Sequence, residues 1–581
     1  MSKLTLDPAY LRQQIVGVDS TFETPFGERL MVYCDYTASG RCLRFVESYL
    51  QSLQRIYANT HTEDDITGRS MSQLLHEAEE AIKGSVNAGP NGRIISCGTG
   101  ATGAIDKLQQ IIGVALAPAT RQNIYELLDD PDSGFDSGSF CELLEQKQPV
   151  VFIGPYEHHS NEISWRQSLV TTIEVRLDAT GHIDLVHLEE LLQSPAYKDR
   201  LRIGSFSAAS NVTGIRTDVH KVASLLHAHG AIACFDFAAC APYVEIDMNP
   251  EPAGKGDDPA IDAVFISPHK FIGGPGSSGV LVFNERIYHR ELPPSVSAGG
   301  TVDYVGLESQ DFISNIEERE KAGTPGVLQT LKAGLVFQIK DRVGVEVINK
   351  REHELTRRVL KSWGEDDNIE ILGNPDPARR VGIISFNIKD RDGCYLHHKF
   401  VTALLNDLFG IQSRAGCSCA GPYGHRLLDI DDDTSERYRH AVQDGFCGMK
   451  PGWCRIGLHW VMDDAEANYV IDAVKFVATH GYRFLCLYGF DLCSGTWSHK
   501  QATDELTSFS LDAALDNKEG EPAILSLKLR KQLYDHYMTE AERWATRLKE
   551  EPSEALEKLE DELGKLQFFS LPTDATSRHE H

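Results

Sequence analysis

The sequence predicts an α/β protein. A large domain with a mostly parallel sheet covered by helices is followed by a smaller α/β domain and a partly helical C-terminal extension. Three observations predict this. Between about residues 30 and 340, short apolar runs alternate with segments of helical spacing. A second alternation of this kind reaches about residue 480. The chain then finishes in "MTEAERWATRLKEEPSEALEKLEDELGKL", where Glu and Lys at i,i+4 describe a solvated helix.

Taken in order, residues 1–30 read as an N-terminal arm and residues 31–340 as the large domain. Its strands are "RIISCG" (93–98), "PVVFIG" (149–154), "LRIGSFSA" (201–208), "AIACFDF" (231–237), "AVFIS" (263–267) and "GVLVF" (279–283). Segments such as "DVHKVASLLHAHG" (218–230) carry apolar residues at helical spacing between them. Residues 118–148, polar and rich in Asp, Ser and Gly, read as an insertion with one short helix. The pattern turns helical around 325–365; the smaller domain takes 341–480 and the extension 481–581.

A chain of 581 residues exceeds one hydrophobic core. With 57 basic and 85 acidic residues the net charge is −28, which argues against nucleic acid or an anionic membrane surface as the main partner. No apolar run is long enough to span a bilayer, and "MSKLTLDPAYLRQQ" lacks a signal-peptide core. Thirteen scattered cysteines do not form a disulfide framework, so a reduced, cytoplasmic protein is expected.

The chemistry gathers at strand ends, where ligands of parallel sheets bind. Lys270, in "SPHKFIGGPG", ends an apolar run; a surface lysine is the plain alternative, but a desolvated amine there is a nucleophile suited to an aldehyde. Ser267, His269 and the glycines around them offer donors for an oxyanion. Asp236, in "ACFDFAAC", is either a loop carboxylate or the partner of a buried cation such as a pyridinium. "SCGTGATGAIDKL" runs a strand through glycines into a helix, placing Ala101 and Thr102 where free N–H groups favour phosphate. His158, in "GPYEHHSNEISW", could stack on an aromatic ring, and Asn211, in "SAASNVTG", could bond a ring hydroxyl.

This ordered set resembles the class V aminotransferase family of pyridoxal-phosphate enzymes, with the nearest likeness to SUF-type cysteine desulfurases and selenocysteine lyases. "CDYTAS" (34–39), "YANTHTE" (57–63) and "KAGTPG" (321–326) resemble further family stretches, so the likeness covers roughly 30–475. It implies fold type I, with pyridoxal 5'-phosphate held as a Schiff base on Lys270. Asp236 would face the pyridine nitrogen and His158 would stack on the ring. Ala101, Thr102, Ser267 and His269 would hold the phosphate, and Asn211 would lie near the ring hydroxyl or substrate. "SAGGTVDY" resembles the segment that reaches a neighbouring subunit's phosphate. Gly300 and Thr301 would then be inter-subunit contacts and the enzyme a homodimer.

"IQSRAGCSCAGPYG" matches the desulfurase pattern Arg-x-Gly-x-x-Cys-Ala at Arg414 and Cys419. The resemblance implies that Arg414, with Arg455 and His61, binds a small cysteine-like amino acid. Cys419 would take its sulfur as a persulfide and leave alanine, and a protein sulfur acceptor is a further partner that the likeness allows. Another class V reaction (carbon–sulfur lysis, epimerisation, transamination) and a non-enzymatic sulfur-transfer scaffold are the alternatives. Ala239 stands where the family usually has a glutamine donor. Cys417, Cys447 and Cys454 have no assigned role; their spacing with Cys419 is not that of a zinc finger, so no metal is expected.

Overall fold

The computed structural model describes residues 6–60, 64–134, 136–502, 524–549, 559 and 561–572. The chain divides into two compact units. The larger comprises Ala38–Lys350 with Arg379–Val381 and the first six residues; the smaller comprises Asp7–Thr37, Arg351–Ala378 and Gly382–His581.

The larger unit is built on a seven-stranded sheet. In chain order its strands are β1 (Gly92–Ser96), β2 (Val150–Ile153), β3 (Thr171–Glu174), β4 (Arg202–Ser207), β5 (Ile232–Asp236), β6 (Ala263–Ile266) and β7 (Val280–Asn284). Their spatial order is β1-β7-β6-β5-β4-β2-β3. Only β7 runs against its neighbours, pairing Val280 with Ser96 of β1 on one side and Ile266 of β6 on the other. The central strands β2 and β6 are buried at every position, the pattern of parallel strands covered on both faces. Helices between them are capped by aspartates: Asp184 accepts from Val186 and His187 N–H, and Asp218 from Lys221 N–H. All six sequence-expected strands are present. The seventh, β3, lies at the sheet edge and was not anticipated. The 118–148 insertion holds two helices, Pro118–Leu128 and Ser137–Lys147, rather than one.

The smaller unit carries a four-stranded antiparallel sheet: β8 (Ile369–Ile371), β9 (Ile383–Ile388), β10 (Arg414–Gly416) and β11 (Trp453–Gly457), in the order β8-β9-β11-β10. Val32–Tyr33 pairs in parallel with Ile411–Gln412 beside it. The N-terminal segment is therefore no loose arm: helix Pro8–Gln14 and hairpin Thr21–Leu30 supply Leu11, Phe26 and Leu30 to buried positions. Described parts of the C-terminal extension also belong to this core. Helix Leu527–Lys549 buries Tyr534, Tyr537, Ala541 and Ala545 on one face. A buried ion network joins the two ends, with Arg12 on Asp19 and Glu466 (2.9 Å each) and Arg530 on Asp463 (2.6 Å). Such a network specifies the arrangement, because a buried charge without its partner is costly.

Candidate active site

In the larger unit the carboxyl ends of β1, β2, β4, β5 and β6 deliver the expected residues. After β6 the chain closes a short turn, Pro268–Lys270, in which Lys270 N donates to Ser267 O (3.0 Å). Lys270 is half-buried, and Gly40 N donates to the His269 carbonyl (2.9 Å). A Cβ at Gly40 would stand 1.9 Å from the Phe271 oxygen, so only glycine permits this approach behind the lysine.

The turn packs on the loop after β1. Ala101 N donates to Ser267 Oγ (2.9 Å), and His269 Nδ1 donates to the Thr99 carbonyl (2.7 Å), leaving Nε2 as the acceptor. Burial lowers the affinity of His269 for a second proton. At Gly100 a Cβ would lie 2.8 Å from His269 Cε1 and 3.0 Å from Ser267 Oγ, so the cradle closes only around a glycine. Thr102 Oγ1 and Ser160 Oγ are 2.6 Å apart, and Ser160 Oγ is 3.0 Å from His158 Nδ1. This links the helix start at Ala101 to the segment after β2; Ser160 was not singled out from sequence.

Asp236 ends β5 with 4% of its surface exposed. Among the described residues its carboxylate accepts a hydrogen bond from Ala238 N–H (2.8 Å) and from no side chain. Burial raises its affinity for a proton, against the Ala238 bond and the charge of Lys270. Ala239 is buried in the following turn and offers no side-chain donor.

Beneath His158 lies a buried network that sequence reasoning missed. The Glu157 carboxylate accepts from Ser207 Oγ (2.6 Å), Ser207 N (2.8 Å), Asn161 Nδ2 (2.7 Å) and Gly154 N (3.2 Å). Asn161 Oδ1 in turn accepts from Ser205 Oγ (2.6 Å) and Trp165 Nε1 (3.0 Å). Its sequence signal was the i,i+4 spacing of Glu157, Asn161 and Trp165. Burial pushes the Glu157 carboxyl up to about 7 despite these donors, with Asp236 adding to the rise. The folded chain thus keeps a proton that the unfolded carboxyl has lost. The stability from this group is complete below its ordinary 4.5 and is lost as pH rises through about 7. Between those limits the loss is about 3 kcal/mol. Urea midpoints from pH 5 to 8 should fall more steeply in the native chain than in Glu157→Gln; parallel profiles would contradict this.

Asn211 is buried after β4. Gly300 is exposed with φ +85°, and Thr301 is buried with its hydroxyl donating to the Ala298 carbonyl (2.7 Å). His61 lies outside the described residues.

In the smaller unit, β10 and β11 place Arg414 directly opposite Arg455. Like charges so paired repel. Asp35, at the end of the Val32–Tyr33 pairing, offsets this: its carboxylate lies 2.9 Å from Arg455 Nη2 and 3.8 Å from Arg414 Nη1. Arg455 is 4% exposed at its side chain, so its ion pair with Asp35 is buried, whereas Arg414 is 44% exposed at its side chain. Burial lowers the Arg455 proton affinity, while Asp35 and the nearby Cys419 oppose that.

Cys419 is half-buried and Cys417 exposed. Ser418 and Cys419 both adopt left-handed backbone, φ 51° and 57°, a conformation costing about 1–3 kcal/mol per non-glycine residue and concentrated at functional loops. Cys454 is buried, with its thiol donating to the His398 carbonyl (3.2 Å).

Residues 140–470 match the family model for class-V aminotransferases, more than half of the chain. The chain belongs to the class-V aminotransferase family. A probable cysteine desulfurase of Halalkalibacterium halodurans is 29% identical over 284 residues, 48% of this chain and 64% of that protein. One from Staphylococcus aureus is 27% identical over 402 residues, 68% of this chain and 84% of its own length. The apo cysteine desulfurase of Thermococcus onnurineus superposes with a TM-score of 0.60 at 19% identity, covering 82% of this chain and 99% of that one. A cysteine desulfurase of Escherichia coli, solved in an S-sulfonic acid form, gives 0.58 at 18%, covering 81% and 98%. These superpositions bear out the fold class: this class-V chain has the large, mostly parallel sheet covered by helices of fold type I. Among the described residues no helix is long and apolar enough to cross a membrane, and no three His, Cys, Asp or Glu side chains are grouped as a metal site.

Proposed function

We propose that this class-V protein is a pyridoxal-phosphate-dependent cysteine desulfurase, taking sulfur from L-cysteine, or selenium from selenocysteine, and releasing alanine. The observation that carries this reading is the meeting of Lys270, Asp236, His158 and the Gly100 cradle at the strand ends of one sheet. The residues fit the cofactor. Asp236 is a buried carboxylate with no side-chain donor among the described residues, suited to a pyridinium N–H. The Thr102 and Ser267 hydroxyls can donate to a phosphate beside a glycine, with Ala101 at the helix start, and His269 would add a donor where a phosphate holds a proton on its Nε2.

When bound, the cofactor supplies an electron sink that weakens bonds at the substrate α-carbon. Lys270 Nζ would anchor it and then carry protons. Asp236 would hold the proton on the ring nitrogen, His158 would cover the ring face, and Asn211 would lie near the ring hydroxyl. Arg414 and Arg455 would grip the substrate carboxylate as planar forks; His61 completes the proposed substrate set. The Cys419 thiolate would attack the substrate sulfur. A sulfur–sulfur bond forms, the carbon–sulfur bond breaks with its electron pair left on carbon, and a proton there completes alanine.

A homodimer is part of the proposal. The hairpin Val302–Phe312, next to Gly300 and Thr301, exposes Tyr304, Val305 and Leu307, the last fully. Exposed apolar residues grouped in this way favour burial against another chain. Light scattering should give twice the chain mass of 64.5 kDa; a monomer at micromolar concentration would contradict it.

The reaction is tested by incubating the cofactor-loaded protein with L-cysteine and a reductant. Equal amounts of alanine and sulfide are expected. Pyruvate and ammonia would instead assign carbon–sulfur lysis, the alternative kept open by Ala239.

A further inference from the structure

The smaller unit contains a cavity that the proposed chemistry does not use. Its volume is ≈ 130 Å³. That is close to the size of an engineered core cavity that accepts benzene. Leu396, Leu428 and Phe568 give it apolar walls.

Its charged groups are acidic. Among the described residues that line it are Glu370 and Asp429, and no lysine or arginine. Glu370 accepts a bond from the Tyr395 hydroxyl and lies 3.7 Å from Lys389. Among the described residues, the exposed Asp429 carboxylate has no hydrogen-bond or ion-pair partner. Asn387 lines the cavity too, with its NH₂ donating to the Gly452 (3.3 Å) and Phe386 (3.2 Å) carbonyls, which leaves its side-chain oxygen as an acceptor. His398, 3% exposed, also lines the cavity, and its Nδ1 has no hydrogen-bond partner among the described residues. An unpartnered buried ring nitrogen is costly and points to a missing polar neighbour. A small apolar body, two carboxylates and an amide oxygen together select a ligand that is apolar at one end and a cationic donor at the other.

We propose that this cavity binds a small aromatic or aliphatic primary amine, its ammonium on Asp429 and its body between Leu428 and Phe568. The location gives such a ligand a lever on the sulfur-accepting loop. Leu427–Ile430 leaves the helix Gly421–Leu427, which begins two residues after Cys419. On the other wall Gly452 packs so closely that a Cβ there would be 2.9 Å from both Gly416 Cα and His398 Nε2.

Titration of the full-length protein with benzylamine, toluene and benzoate, followed by ligand-observed NMR, tests the site. Benzylamine should bind saturably and benzoate should not. Asp429→Asn, which suits the left-handed backbone at that exposed position (φ 52°), should weaken benzylamine about tenfold and leave toluene unchanged. Leu428→Trp should fill the cavity and abolish both. The proposal is overturned if benzylamine does not saturate, if benzoate binds as well, or if Asp429→Asn binds benzylamine like the native chain. Should Leu428→Trp fail to fold, the Asp429→Asn comparison decides alone.

Discussion

Replacing Lys270 with alanine is expected to remove the visible absorption of the cofactor-loaded protein and to lower turnover of cysteine by about a thousandfold or more. Both effects follow from one amine acting as anchor and as proton carrier. The fold should survive. Lys270 is half-buried, its backbone N–H bond to Ser267 is independent of the side chain, and the tight approach of Gly40 involves main-chain atoms. The thermal midpoint of the cofactor-free variant should therefore match that of the cofactor-free native chain. A variant that keeps its visible band, or loses it only because it unfolds, would count against the assignment.

Replacing Cys419 with alanine separates sulfur acceptance from cofactor binding. The visible band should persist, because Lys270, Asp236 and the Gly100 cradle belong to other elements. Sulfide release should fall by about a hundredfold or more. Alanine retains the Cβ, so the left-handed backbone at φ 57° is strained equally in both chains and the comparison isolates the thiol. Cys417→Ala, two residues away and exposed, should stay within about twofold of native activity. If Cys417→Ala loses activity and Cys419→Ala does not, the acceptor is the other thiol.

The large sheet was legible because its strands are continuous apolar runs ending in Gly, Asp or Ser, a pattern that burial on both faces imposes. The strand Thr171–Glu174 escaped notice for the same reason reversed: it is an edge strand, half-buried throughout, with two threonines and no apolar run. At the N-terminus, Pro25 and Gly27, the latter at φ +96°, were available turn signals between Phe22 and Leu30. In the C-terminal helix a high charge content hid the stripe of Tyr534, Tyr537, Ala541 and Ala545 that packs into the core.

Among candidate site residues, those that follow strands were legible because position along the sequence and position in space coincide there. Asp35 lies in a family-like stretch, yet its bond to Arg455 spans 420 residues, and no local pattern announces such a pairing. Glu157 lies in the stretch that carries His158, but its hydrogen bonds depend on Ser207, which the sheet brings to it. Long-range polar pairing of this kind is set by topology, not by spacing.

The central claim is that Lys270 holds the cofactor covalently. Borohydride reduction of the loaded protein, proteolysis and peptide mass spectrometry test it directly. A single phosphopyridoxyl adduct on the peptide containing Lys270 is the predicted result. An adduct on another lysine, or none on a protein that nevertheless releases sulfide from cysteine, would contradict it.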